Sequence, residues 1–345
     1  MKTKYFLPIG FLFLSISQAT LGQETSKDSV TSAENAIKTV ENIINKLPQI
    51  DGFVNLRYQA YENNGIGQDG FDVRRAYFGL TGNAAQNLTY RFLSDFAGTP
   101  KILDAYAVWK PNKYIGLQAG QFKVPYTLEN PIAQFYLETV DNSQVITALV
   151  TTLNGTNING RDIGVALNGS LFFREGYNLI DYKLGVFNGN GINVTDNNTY
   201  KDIVGTLLIN PIKPLNVGLS YYKGEYGPQA TKYKRNRASY GIKYDDGKLL
   251  VRSEYIDGTT NITKAYGYYV TAGYFVTQKL QPVLKYDFYQ SDTSKSTTPI
   301  TNYVAGLNYW IGKVTRVQLS LERFDYKNPA IKNYNYIVAQ TFIGF

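Results

Sequence analysis

From Gly52 to its last residue the chain repeats one pattern: segments of roughly ten residues in which apolar and polar side chains alternate with a period of two. In the first, Val54, Leu56, Tyr58 and Ala60 share one face, and Asn55, Arg57 and Gln59 share the other. Leu88, Tyr90, Phe92 and Phe96 likewise oppose Thr89, Arg91 and Asp95. Pro282, Leu284, Tyr286 and Phe288 oppose Lys285 and Asp287, and Val317, Leu319 and Leu321 oppose Arg316, Gln318 and Glu322. The last segment puts Ile337, Ala339, Thr341, Ile343 and Phe345 at every second position. In a sheet closed inside a membrane, the last strand must pair with the first, turn apolar groups to lipid and end in an aromatic at the interface. Sixteen such segments can be marked out. The expected fold is therefore all-β, a 16-stranded antiparallel transmembrane β-barrel preceded by a short N-terminal helix.

The connectors offer an independent check, because alternation within strands says nothing about loop length. Even-numbered connectors are tight, as at 111–113, 210–214, 245–247, Gln278 and 312–313. Odd-numbered ones read as longer and polar, as at 62–69, 188–198, 224–234 and 291–299. With a periplasmic N-terminus, this places short turns inside and long loops outside, the asymmetry of bacterial outer-membrane barrels. An even strand number also returns Phe345 to the periplasmic side.

Two segments precede the barrel pattern. Residues 1–22 have the form of a secretory signal: Lys2 and Lys4, a short apolar run from Tyr5 to Ile16, then small residues giving cleavage after Ala19 or Gly22. That run is too short to span a bilayer as a helix, so any crossing must be made by strands. In residues 23–48, Val30, Ala33, Ile37, Val40, Ile44 and Leu47 recur at steps of three and four before Pro48. This segment reads either as an amphipathic helix on the periplasmic rim or as a small bundle that helps hold a trimer.

Composition removes most enzymology. The chain has no His and no Cys. Imidazole-activated nucleophiles, most zinc sites, disulfides and a lipid anchor on Cys are thereby excluded. No carboxylate pair has a spacing that argues for acid and base chemistry, so no catalytic residue, metal or cofactor is expected. Tyr, with 30 residues, dominates the aromatics. Its apolar ring and polar tip suit both a bilayer interface and a wet pore wall.

The longest connector, 126–160, is the third external one. It carries Ile132, Phe135, Tyr136, Leu137, Val145, Ile146 and Leu149, too much apolar surface for a loop standing in water. A barrel of sixteen strands is wide enough to take such a loop inside. The loop is expected to fold inward and narrow the channel, with a cap or subunit contact as the alternative.

Several stretches resemble the phosphate-selective porin O and P family. They are the run from Gly120 to Glu129 (GQFKVPYTLE), Arg161-Asp162-Ile163-Gly164-Val165, and the run from Gly185 to Gly191 (GVFNGNG). Arg74-Arg75-Ala76-Tyr77 and Leu103-Asp104-Ala105-Tyr106 fit as well. The resemblance extends from about Gly52 to Phe345. It implies a trimeric porin of sixteen strands, with a third loop that constricts the pore and basic residues on the inner wall. The terminal Phe345 also resembles the address read by the outer-membrane assembly machinery.

Beyond Pro48 the chain holds 30 basic and 23 acidic residues, a balance of +7. A basic lumen within a low-dielectric wall concentrates anions, and Arg forks suit phosphate or carboxylate. Strand parity turns Arg57, Arg75, Arg91, Lys183, Arg252, Lys285 and Arg316 inward, with Lys123 and Arg161 flanking the third loop. Asp95, Asp104, Asp181, Glu254, Asp287 and Glu322 share that face, so a mild anion preference is expected rather than strict phosphate specificity.

Other signals are weaker. The dinucleotide-like Gly65-Ile66-Gly67-Gln68-Asp69-Gly70 lies between strands with no helix after it and reads as a hairpin. The basic stretch 232–237 reads as an outer-loop contact with lipopolysaccharide phosphates or an entry rim rather than as a nucleic-acid site. The expectation is a diffusion channel of the bacterial outer membrane for small hydrophilic solutes, its partners being membrane lipid, lipopolysaccharide and small anionic or polar solutes. An adhesive barrel that binds a surface partner through its loops is the alternative.

Overall fold

The computed structural model describes residues 47–63, 66–153, 156–227 and 232–345. The signal segment 1–22 lies outside them, as does the helix expected over 23–48 apart from Leu47 and Pro48. The barrel unit runs from Pro48 to Phe345.

Alternating side chains produce strands wherever the pattern occurs. They are β1 (Gln49–Asn63), β2 (Ile66–Ala85), β3 (Leu88–Asp95), β4 (Lys101–Trp109), β5 (Gly116–Lys123), β6 (Arg161–Arg174), β7 (Tyr177–Phe187) and β8 (Asp202–Ile212). The second half continues with β9 (Leu215–Tyr226), β10 (Tyr233–Asp245), β11 (Leu249–Thr260), β12 (Thr263–Tyr274), β13 (Leu280–Gln290), β14 (Pro299–Trp310), β15 (Thr315–Tyr326) and β16 (Tyr334–Gly344). Each pairs antiparallel with its neighbours in sequence, and β1 pairs with β16, so the sheet closes into a barrel. A strand of about 12 residues rising ~3.3 Å each and tilted ~40° covers about 30 Å, the thickness of a bilayer core.

Closure depends on the chain end. Phe53 faces Gly344 and Tyr61 faces Tyr336 in the β1–β16 register. One step further, Gly52 N donates to Phe345 O at 3.3 Å and Phe345 N to Gly52 O at 3.1 Å. In β16 the side chains of Ile337 and Ile343 are exposed on the outside, whereas Val338, Gln340 and Phe342 are buried inside.

The polarity of the molecule is inverted relative to a soluble protein. Outward positions such as Leu219, Tyr240, Leu284, Leu319 and Leu321 are exposed, and inward Asn55, Ser239, Thr271, Asn302, Asn308 and Gln318 are buried. Outward aromatics pair across strands: Tyr268 stacks on Phe288 at 5.1 Å, and Tyr286 meets Tyr303 edge-on at 5.5 Å. An apolar exterior over a polar interior is what lipid outside and water inside require.

The connectors depart from the expected alternation in one respect. The β1–β2 ladder continues to the pair Asn63 and Ile66, and the turn after β11 is only 261–262, so these two external connectors are short. The expected loop 62–69 is mostly strand, because Tyr61 and Gln68 continue the ladder beyond Ala60 and Asp69. Polar composition marked this segment as loop, yet at the end of a long hairpin polar residues pair as well as apolar ones.

Candidate functional site

The segment between β5 and β6 binds the inner faces of strands on opposite sides of the barrel. At its start, Lys123 Nζ donates to the carbonyls of Asn130 and Ile132, both at 2.6 Å. Leu128 N and Glu129 N donate to the Glu254 carboxylate of β11 at 2.6 and 2.9 Å. The middle of the loop reaches β15 and β14: Arg316 donates to Leu137 O at 2.8 Å, Gln318 to Glu138 O at 3.1 Å and Asn308 to Glu138 O at 3.0 Å. Its tip touches β2, where Arg74 donates to Val140 O at 3.1 Å and to the Asp141 carboxylate. Gln144 N then donates to Asp287 of β13 at 2.7 Å.

Apolar side chains of the loop anchor it further. Phe135 is buried in an aromatic cluster, with ring centroids 5.8 Å from Phe53, 5.6 Å from Phe342 and 5.7 Å from Trp310. Val145, Ile146 and Leu149 are buried against Ile256, Ala265 and Tyr269 of β11 and β12. They belong to a short helical piece, Gln144–Ile146 continuing as Thr147–Thr151. Leu137 is buried as well, whereas Tyr136 is 57 % exposed.

Ion pairs complete the attachment. Arg252 forks onto Glu138 at 3.2 and 2.7 Å and lies 3.5 Å from Glu129, with all three side chains nearly or fully buried. Enclosure by itself would raise the pKa of Asp141, but Arg74, Arg75 and Arg57 together hold the carboxyl below its ordinary range.

Several of the remaining charges on the inner wall are paired. Arg57 binds Asp72 and Arg91 binds Asp51, while Arg161 forks onto Asp104 at 2.7 and 3.1 Å. Lys285 sits 3.5 Å from Asp287 and donates to Asp141 O at 3.3 Å. A closed barrel with a polar, charged inner wall and an inward loop is the architecture of a diffusion channel. A family model described as phosphate-selective porin O and P matches residues 49–248.

The chain belongs to that family.

As a porin it is a diffusion channel of the bacterial outer membrane. Solved structures share the fold at low identity. The anion-selective porin from Comamonas acidovorans is 12% identical with a TM-score of 0.67, covering 86% of this chain and 99% of that one. The outer membrane channel DcaP of Acinetobacter baumannii is 13% identical with a TM-score of 0.65, covering 86% and 97%. The trimer form of the outer membrane protein OmpT of Vibrio cholerae is 12% identical with a TM-score of 0.61, covering 86% and 100%. No curated protein matches the sequence.

Within the porin, the nine basic residues singled out from sequence divide by partner. Lys123, Arg252, Lys285 and Arg316 hold the third loop. Arg57, Arg91 and Arg161 are neutralised by wall carboxylates. Arg75 and Lys183 have neither an ion pair nor a hydrogen bond to the loop among the described residues. Arg75 Nη1 is buried without a hydrogen-bond partner, and Lys183 is exposed on the inner face of β7. Parity could not separate these groups, since the partners lie up to about 180 residues away, as Leu137 does from Arg316.

Arg74 was missed by the same rule. Strict alternation would send it to lipid beside an inward Arg75, but the β1–β2 ladder shifts register at Asn55/Leu56, where Asn55 pairs with Arg75 and Leu56 with Val73. The extra residue is a β-bulge, and it turns both guanidiniums inward. The Arg-Arg doublet itself was the available signal, because an arginine facing lipid at mid-membrane costs about 2–4 kcal/mol.

The basic stretch 232–237 is corrected by the structure. Arg235 and Arg237 are buried on the inner face of β10, not displayed on an outer loop. Arg235 donates to Asp202 at 2.5 Å and lies 5.3 Å over the Tyr222 ring. Arg237 leaves Nε and Nη1 unpartnered beside the unpartnered hydroxyl of Tyr126. The strand simply begins earlier than the run of charges implied.

Proposed function

We propose that this porin passes small anions in preference to cations, with the third loop at its narrowest point and Arg75, Lys183 and Arg237 as uncompensated positive charges along the wall. One observation carries the reading: most of the wall's carboxylates are held by cations, amides or hydroxyls, while Arg75, Lys183 and Arg237 make no ion pair among the described residues. The half-exposed carboxylates Asp51, Asp72 and Asp141 are each held by an arginine. Buried Glu254 is capped by two loop amides, Ser239 and Tyr269. Asp162 accepts from Ile163 N and Gly189 N at 2.7 Å each. Against these, Arg75 and Arg237 are buried in the wall without a carboxylate partner, and Lys183 is exposed on its inner face. Uncompensated positive charge at separate points of a pathway draws an anion in without holding it, which is what conduction needs. The neighbour from Comamonas acidovorans is named as anion-selective, in keeping with this reading.

The solute class is small hydrophilic molecules, with phosphate and other oxyanions suited to Arg forks. A homotrimer is the proposed assembly, supported by the trimer form of the Vibrio cholerae neighbour. Lipopolysaccharide is the proposed outer-leaflet contact, and Phe345, 54 % exposed at the closing seam, the proposed contact for the assembly machinery.

Planar-bilayer recording tests the charge assignment. Lys183→Glu together with Arg75→Gln should move the reversal potential in a salt gradient toward cation preference without abolishing channels. An unchanged reversal potential in that variant would remove these residues from the pathway.

A further inference from the structure

The inner wall is bare at two facing positions where the third loop begins. Gly218 of β9 and Gly241 of β10 are direct cross-strand partners. Neither has a positive φ, so backbone conformation does not call for glycine at either place. Space does. A Cβ on Gly218 would stand 2.7 Å from Leu128 Cδ2, and one on Gly241 would stand 2.7 Å from Leu128 Cδ1 and 2.8 Å from Glu254 Cγ. The forked end of Leu128 therefore straddles the depression left by the glycine pair.

Hydrogen bonds hold the same residues from either side. Glu254, which faces Gly241 across the β10–β11 ladder, accepts the amides of Leu128 and Glu129. Ser220 Oγ accepts Thr127 N at 3.3 Å, and Thr206 Oγ1 donates to Pro125 O at 2.5 Å. The seat continues around the wall, where a Cβ on Gly267 would stand 2.7 Å from Val145 Cβ and one on Gly258 3.3 Å from Leu149 Cδ1.

We infer that Leu128, seated on the Gly218–Gly241 pair, is the positioning residue that sets how far the third loop stands from the wall, and so sets the size limit of the pore. The inference rests on the reading that this loop forms the constriction. The wall behind the glycines is a hydrogen-bonded ladder that cannot retreat, so volume added beyond what the Leu128 side chain can yield moves the loop into the lumen. Volume removed from Leu128 compensates for volume added to the wall.

The test is a compensation experiment on the full-length porin, reading single-channel conductance and the heat-modifiable folded band. Gly241→Val should lower conductance about two-fold with the folded band retained. Leu128→Ala in the same chain should restore most of the loss, and Leu128→Ala alone should not lower conductance. Wild-type conductance in Gly241→Val, or failure of Leu128→Ala to rescue it, overturns the inference. Should Gly241→Val not assemble, Gly218→Ala with and without Leu128→Ala carries the same test at smaller volume. Removal of residues 135–149 separates the underlying reading: unchanged conductance there refutes the constriction, whereas raised conductance beside an inert Gly241→Val refutes the seat alone.

Discussion

Arg74 and Asp141 join a bulged residue of β2 to the tip of the third loop, the guanidinium also taking the carbonyl of Val140 at 3.1 Å. The loop is thus fastened at its far end as well as along β11 to β15. Charge-assisted hydrogen bonds of this kind contribute about 1.5–3 kcal/mol each. Arg74→Ala should release the tip and appear as added open-channel noise, with the folded band unchanged. Quiet, wild-type current in that variant would show that the tip is held without the arginine.

The Asp141 carboxyl has a lowered pKa, so its contribution is complete above the ordinary carboxylate value of 3.8 and is lost as pH falls below it. Open-channel noise should therefore stay flat from neutral pH down to the ordinary carboxylate range and rise only in stronger acid. Asp141→Asn should be noisy at neutral pH already.

Arg161 and Asp104 form a buried fork at the root of the loop, with side chains 6% and 12% exposed. Removing one partner strands the other, at a cost of about 3–5 kcal/mol. Arg161→Gln should lower the temperature at which the folded band converts to the unfolded one. Arg161→Met with Asp104→Leu should recover most of that temperature, because no lone charge is left inside.

Gly52 lies against the last residue: a Cβ there would stand 2.2 Å from Tyr77 O and 2.7 Å from Phe345 Cζ. Gly52→Val should reduce the yield of folded barrel by opening the β1–β16 seam. Phe345→Ser should impair insertion into the outer membrane while leaving conductance of the inserted fraction unchanged. Full insertion of either variant would show that the seam tolerates a poorer fit.

The strand faces were legible because lipid and water impose opposite demands on successive residues, as Leu319 and Gln318 illustrate at 50% and 1% exposure. The closing of β1 on β16 was legible for the same reason. What alternation could not encode is where a strand slips. The bulge at Arg74 and Arg75 depends on a partner strand, and so does the early start of β10 that buries Arg235 and Arg237. The loop's apolar content announced that it needs a surface. Its seat on Gly218 and Gly241 became visible only when residues from three distant segments met. Basic residues looked alike in sequence, since Arg316 holding a loop carbonyl and Lys183 facing the lumen differ only in what lies opposite them.

The reversal potential of the wild-type porin in a steep potassium chloride gradient tests the central claim most directly. An anion-preferring pore lets chloride run ahead, so the dilute side should become negative, and oxyanions added there should reduce the chloride current. A positive dilute side would mean that cations lead, and would contradict the account.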